Sequence, residues 1–287
     1  MSLGLNKTKR RIASIKSTQK ITKAMGMVAS VKLRRFRDLV SHGEEYAEGL
    51  RNTMGELFLH DEESKTHYGR ENEKATSTLY IVITSNLGLC AAYNNNIFKY
   101  VEAHVDPEND IILPIGEKGK AHFAHDPRYK HIDNNNHEVD KYLDAKRLTA
   151  LCKEIKDEFN KAVIKKVVLV YTRYVNSISF VPAEETLLPV SITPKARADE
   201  DYCPPLFEPS ARRQIHMLMP YYLAGCLHHR LAESQLCEQA CRRNAMDNAN
   251  DNADELLNKL TIEYNKARQT AITQEIVEVV SGSANAR

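Results

Sequence analysis

No proline precedes Pro107 in this chain and none follows Pro220, and both stretches carry hydrophobic residues at helical spacing. Proline removes a backbone donor and clashes with the preceding turn, so its absence lets a helix run on. Near the N-terminus the apolar positions Leu5, Ile12, Ile15, Ile21, Met25, Val28, Phe36, Leu39, Tyr46, Leu50 and Leu57 recur mostly at three, four and seven. Such a narrow stripe suits a two-stranded seam. Toward the other end, Ala249, Ala253, Leu256, Leu260, Tyr264, Ala267, Ala271 and Val279 repeat in the same way, and their alanines permit a partner helix to approach closely. The pattern predicts helices over residues 1–60 and 209–282, with Pro220 marking a kink or a late start. At the usual rise the first could reach about 80 Å. Two helices of this length cannot both hide in an ordinary globular core. They are expected to pair antiparallel as a coiled coil whose tip serves something else.

Between them the period changes. Thr78–Thr84 (TLYIVIT) and Ile111–Ile115 are short apolar runs of strand type, and Lys166–Tyr174 and Ser177–Val181 read as two more strands turning at Asn176. Helical stretches near 90–105, 117–125 and 139–161 alternate with them. Strands covered on both faces by helices predict an α/β domain over residues 75–190. Its small, mostly parallel, Rossmann-like sheet would have about five strands and one antiparallel edge. Residues 189–209 hold Pro189, Pro194, Pro204, Pro205 and Pro209 and read as a linker.

A formal charge of +2 over 287 residues hides an asymmetry. Residues 1–37 contain eleven Lys or Arg, and the first carboxylate is Asp38. A helix this basic could meet phosphate, anionic lipid or an acidic protein surface, and charge alone does not choose among them. Hydrophobic residues make up 42% of the chain, which excludes wholesale disorder, yet no run approaches the length of a membrane span. Six scattered cysteines with no apolar leader upstream read as reduced thiols.

Motifs that would signal chemistry are incomplete. Gly116-Glu117-Lys118-Gly119-Lys120 follows a strand as a phosphate loop would, but Ala121 stands where a magnesium-binding hydroxyl belongs, so a strand-to-helix turn is expected. Cys90 follows another strand without a His and acid partner, which favours a turn over a nucleophile. Cys237 and Cys241, with His228 and His229 two turns earlier, match no structural zinc spacing. No catalytic, cofactor or metal residue is therefore assigned. Glu238, Arg242, Arg243, Asp247, Asp251 and Asp254 read as a solvated helix face or, less simply, a partner surface.

Particular words then matter more than patterns. Ser17-Thr18-Gln19-Lys20-Ile21-Thr22-Lys23-Ala24-Met25 with Met27-Val28-Ala29 opens the series, and Gly88-Leu89-Cys90 with Tyr93-Asn94 follows in the middle. Glu238, Arg242, Ala245-Met246, Ala249, Asp251-Asn252, Tyr264–Gln269 and Ile272–Ile276 complete it. Together they strongly resemble the gamma subunit of rotary ATP synthases over nearly the whole length. The resemblance implies a non-catalytic central-stalk rotor without a cofactor. Its terminal coiled coil would enter a ring of alpha and beta subunits, and its lower part would contact epsilon and the membrane c-ring. It would couple proton flow to ATP synthesis or hydrolysis, and would sit peripherally on the cytoplasmic side of the cell membrane. Lys20, Lys23, Met25 and Arg242 match family positions near the contact with beta, and Gln269 and Thr273 match the segment held in the bearing.

Several positions depart from the family pattern. Gly26 replaces a charged residue, Asn86-Leu87 an acidic-basic pair and Ala91-Ala92 a glycine pair, while Cys237, Arg243 and Asn250 replace serine, methionine and threonine. Gly26 inside a helix should cost up to about 1 kcal/mol relative to alanine. The competing classes are an enzyme on the α/β domain with helices for dimerisation, a divergent coiled-coil scaffold, and a nucleic-acid-binding coiled coil. The first lacks a convergent polar pocket in the sequence, and the last lacks a basic face on the C-terminal helix. No nucleic-acid partner is expected.

Overall fold

The computed structural model describes residues 2–133, 144–176, 179–191 and 206–284. The expected helical residues 139–143, strand residues 177–178 and most of the proline-rich stretch, with Cys203, lie outside them. Along the chain come α1 (Ser2–Leu59), α2 (Glu62–Gly69), β1 (Thr78–Ile83), α3 (Tyr93–His104), β2 (Ile111–Ile115) and α4 (Glu117–Ala124). After these come β3 (His131–Ile132), α5 (Ala145–Asn160), β4 (Lys166–Tyr174), β5 (Phe180–Leu188) and α6 (Ala211–Ala284). Two compact units emerge, Val31–Cys241 and Met1–Ser30 with Arg242–Arg287, and both α1 and α6 contribute to each.

In the larger unit the sheet order is β3-β2-β1-β4-β5, parallel except for the β4–β5 pair. The first four strands follow the order of a doubly wound sheet. Period-two alternation splits each strand between two cores. Leu79, Ile81, Ile83, Val167 and Leu169 face one way, toward Leu148, Ile155 and Phe159 of α5, Met54 and Leu57 of α1, and Ile215 and Leu223 of α6. Val82, Ile112, Val168 and Val170 face the other, toward Ile97 and Val101 of α3 and Phe123 of α4. Beyond the expected strands, the short β3 is added, and β5 runs on to Leu188 past the proposed end at Val181. Pro182 sits within β5, on the edge of the sheet where a missing donor is tolerated.

The two glycines of the 116–120 motif serve close packing. Gly116 has φ 111°, and a Cβ there would lie 2.4 Å from the Thr84 carbonyl oxygen. A Cβ at Gly119 would lie 2.7 Å from Thr84 Oγ1, which accepts the Gly119 N–H at 2.9 Å. The turn after β1 is held by Asn94, whose Oδ1 accepts the Ser85 N–H at 3.1 Å and whose amide donates to Ser85 Oγ at 2.7 Å. Within that turn Leu89 and Ala91 take φ 61° and 50°. Ala91 is one of the positions where the resemblance implies glycine, and a left-handed alanine costs about 1 kcal/mol or more.

Helix α6 begins at Ala211, so Pro220 lies inside it and does not start it. Buried Ile215, Met219, Tyr222 and Leu223 hold the turns around the proline. From Leu231 to Ala240 every residue is buried, polar ones included. Two of those polar side chains finish an unpaired strand edge. The β1–β4 ladder ends at Val82 and Val170, and beyond it Ser234 Oγ accepts the Thr172 N–H at 3.2 Å while Glu233 Oε1 accepts the Tyr174 N–H at 3.0 Å. Backbone donors buried without partners are rare, and here α6 supplies the acceptors that a neighbouring strand would have given.

Candidate functional site

In the smaller unit α1 and α6 run antiparallel. Thr22 Oγ1 lies 2.5 Å from Asn250 Oδ1, Gln19 Nε2 donates to Asp254 Oδ1 at 2.6 Å, and a Cβ on Gly26 would meet Met246 Cβ at 3.5 Å. Each step down α1 is thus matched by a step up α6. Among the less exposed positions of α1 here, 5, 8, 12, 15, 19, 22, 26 and 29 alternate steps of three and four as a coiled-coil seam requires, with Met25 and Ser30 half-buried beside them. In the larger unit the same antiparallel sense holds, with Gly43 against His229 and Gly225 against Leu50 and Tyr46.

This seam corrects the stripe expected from hydrophobicity. Ile21 and Val28 are 59% and 56% exposed, and Met25 is half-buried. The inner positions belong instead to Gln19, Thr22, Gly26 and Ala29, one residue C-terminal to each of Ile21, Met25 and Val28 in the last three cases. Small residues allow the facing helix to come close, and the bulky ones are left outside. Tyr46, in the larger unit, is likewise 60% exposed.

The six expected contact residues fall into distinct settings. Lys20 and Lys23 are exposed, and with Met27, 69% exposed, they share one flank of the seam at i, i+3 and i+7. Met25 sits on the opposite flank with Ile21 and Val28. Gln269 and Thr273 are exposed on α6, where they share a face with Ile272 and Ile276, 48% and 58% exposed. The Thr273 hydroxyl donates to the Gln269 backbone carbonyl at 2.9 Å. Arg242 is buried, at 6% exposure, and so is Glu238 at 4%, so neither lies on the solvated face read from the sequence. Arg243, Asp247, Asp251 and Asp254 are exposed, and Arg243 pairs with Asp247 across one turn at 3.7 Å.

Hydrophobic spacing put Ile21, Val28 and Val279 in the stripes, but they lie outward with other apolar residues. Ile21, Met27 and Val28 on α1, and Ile262, Ile272, Ile276, Val277 and Val279 on α6, leave large apolar area in water. Exposed apolar groups such as Ile21 with Val28, or Ile272 with Ile276, are suited to contact with another macromolecule. The phase of the three-four repeat could have identified the α1 group, because a heptad frame through Leu5, Ile12 and Ile15 excludes Ile21 and Val28.

Elsewhere, titratable groups are placed inside. His229 on α6 is buried against Gly43 with Nδ1 lacking a hydrogen-bond partner, and burial, then Arg230, depresses its pKa. Burial, then Glu238, drives the Tyr93 phenol well above its ordinary range, and its hydroxyl meets Ser234 Oγ at 2.8 Å. Cys237 and Cys90 pack with Tyr93 in an apolar cluster, and burial pushes the Cys237 thiol up. Among the described residues no cluster of three or more His, Cys, Asp or Glu is arranged to hold a metal ion, and no helix is long and apolar enough to cross a membrane.

Comparison with known proteins gives a consistent result. A family model described as ATP synthase matches residues 4–286. The ATP synthase gamma chain of Halothermothrix orenii is 35% identical over 281 residues, covering 96% of this chain and 96% of the relative. Among solved structures, a chain of the Tetrahymena thermophila mitochondrial ATP synthase central stalk and c-ring is similar with a TM-score of 0.58 and 25% identity, covering 80% of this chain and 99% of that one. A chain of the Euglena gracilis mitochondrial ATP synthase, in an assembly of OSCP, F1 and c-ring, shares the fold with a TM-score of 0.68 at 19% identity, covering 99% and 95%.

Proposed function

The chain belongs to the ATP synthase gamma-chain family, and from that premise we propose that the outward apolar and basic faces of its helix pair are the surfaces through which it works as a rotor. It is the non-catalytic central-stalk subunit, coupling rotation to catalysis at the beta subunits. Its partners are the alpha and beta subunits, epsilon and the c-ring, and it is a peripheral component of a membrane-associated complex.

The single observation that carries the reading of the faces is the inversion of the smaller unit. Over residues 19–29 of α1 its seam is small and polar, while Ile21, Met27, Val28, Ile272 and Ile276 point outward. A helix pair built for its own stability would bury these side chains. One that turns inside a protein collar needs bulk and charge on the outside, distributed unevenly, so that each angle presents a different surface to each beta subunit. Apolar contact around Gln269 and Thr273 would hold the C-terminal segment of α6 as a bearing. Lys20 and Lys23 would meet acidic groups of the collar, giving attraction that changes with angle without adhesion at one position. Met25 adds a flexible, polarizable contact that tolerates a changing partner. Arg242, buried in the helix pair, would act by positioning its own helices.

The test is neutralisation of the basic flank. In complexes reconstituted with alpha and beta subunits, the Lys20→Gln/Lys23→Gln chain is expected to assemble and hydrolyse ATP but to generate less torque, with the deficit shrinking as salt rises and screens the wild type. Equal torque in both chains at every ionic strength would refute the electrostatic part of this reading.

A further inference from the structure

Glu185 lies in β5, the antiparallel edge strand, and its carboxylate meets two arginines from two different helices. Arg51 of α1 approaches at 3.5 Å, and Nε of Arg230 of α6 donates directly to it. Arg230 also donates through Nη1 to Glu233 at 2.9 Å and lies over the Tyr171 ring of β4, 5.2 Å from its centroid. Glu233 in turn accepts the Tyr174 N–H of β4. The side chains of Glu185, Arg230 and Glu233 are 25%, 23% and 9% exposed and that of Arg51 is 35%, so the network is partly withdrawn from water and most so at Glu233.

Apolar packing is non-directional, and its strength follows area more than angle. A planar guanidinium that bridges two carboxylates differs because the directions of its N–H groups are fixed, and an ion network partly withdrawn from water is better explained by positioning than by net stabilisation. Here the network ties both strands of the β4–β5 pair to α6, and the outer strand to α1 as well. We propose that Glu185 and Arg230 form a torque joint: a directional link that passes angular displacement between the sheet and the two helices without slip. Both are positioning residues, and the proposal rests on the rotor reading given above.

The test uses the full chain in a complete, membrane-reconstituted complex with its alpha, beta, epsilon and c-ring partners. The Glu185→Leu/Arg230→Met variant removes both charges while keeping apolar bulk at each position. It is expected to hydrolyse ATP at the wild-type rate, while ATP synthesis driven by an imposed proton gradient falls several-fold and fewer protons are pumped per ATP. Arg230→Lys, which keeps the charge but loses the planar guanidinium, should fall between the two. A double variant that couples as well as wild type overturns the joint and leaves the rotor reading intact, whereas a wild-type chain that fails to couple in the same preparation overturns the rotor reading first. If the double variant does not assemble, Glu185→Gln is read by the same synthesis-to-hydrolysis ratio, and an unchanged ratio counts against the joint.

Discussion

The same two helices are built in opposite ways in the two units they traverse. In the larger unit α1 buries Phe36, Ala47, Met54 and Leu57 to 4% exposure or less, and α6 is covered on every side from Leu231 to Ala240. In the smaller unit residues 19–29 place Gln19, Thr22, Gly26 and Ala29 in the seam, and there Ile21, Met27 and Val28 face water. The first stretch spends bulky apolar residues on the fold, and the second leaves several of them outside its seam. A helix pair can therefore be antiparallel throughout and still change its purpose along its length.

The contrast breaks most readily at core positions. Met54→Ala is expected to destabilise the chain by about 2–5 kcal/mol, the range for truncating a fully buried large side chain. Ile21→Ala, on the outward side, should cost far less. Urea unfolding of both variants compares them, and equal losses would mean that the smaller unit is packed as tightly as the larger.

Two glycines sharpen it further. A Cβ on Gly119 would lie 2.7 Å from Oγ1 and 2.8 Å from Cγ2 of the fully buried Thr84, so Gly119→Ala should destabilise by about 1–3 kcal/mol through overpacking. On Gly26 the nearest atom would be Met246 Cβ at 3.5 Å, an ordinary contact, so Gly26→Ala should stabilise by up to about 1 kcal/mol. Thermal melts that moved in the same direction for both would contradict the packing difference.

Acid distinguishes the units because all eleven histidines fall in Val31–Cys241. Burial depresses the pKa values of His229 and His216 below their ordinary 6.5. The unfolded chain therefore binds these protons more readily, and stability is full above about pH 6.5 and is lost as pH falls toward the depressed folded values. His229→Gln should flatten this slope between pH 7 and 5 in chemical unfolding, where an unaltered slope would remove His229 from the account. The smallest stability effect belongs to the outward face. Ile272→Ser/Ile276→Ser should change the stability of the free chain by no more than about 0.5 kcal/mol, as surface substitutions usually do, yet weaken assembly with alpha and beta subunits in a co-purification.

Element types were legible where period and punctuation agreed. The runs at 78–84, 111–115 and 166–174 became β1, β2 and β4, the antiparallel edge is β5, and the paired terminal helices are present. The apolar stripe lost the phase of the seam over residues 19–29, because there the inner residues are small or polar and Ile21 and Val28 lie outside. Glu233 and Ser234 illustrate the same difficulty. No sequence pattern singles them out, because they cap a strand edge that exists only in the folded sheet. Of the six contact candidates, the structure leaves Lys20, Lys23, Gln269 and Thr273 exposed, Met25 half-exposed and Arg242 buried. The family words located these positions, but only the fold distinguishes the outward side chains from the inward one.

The most direct measurement is single-molecule rotation. The full chain would be assembled with alpha and beta subunits on a surface and given a probe on its α/β domain, with azide-sensitive ATP hydrolysis recorded in parallel. The account predicts unidirectional rotation that starts with ATP, stops with azide and slows with Ile272→Ser/Ile276→Ser. A well-folded chain that assembles and sustains hydrolysis while the probe stays still would contradict the rotor claim.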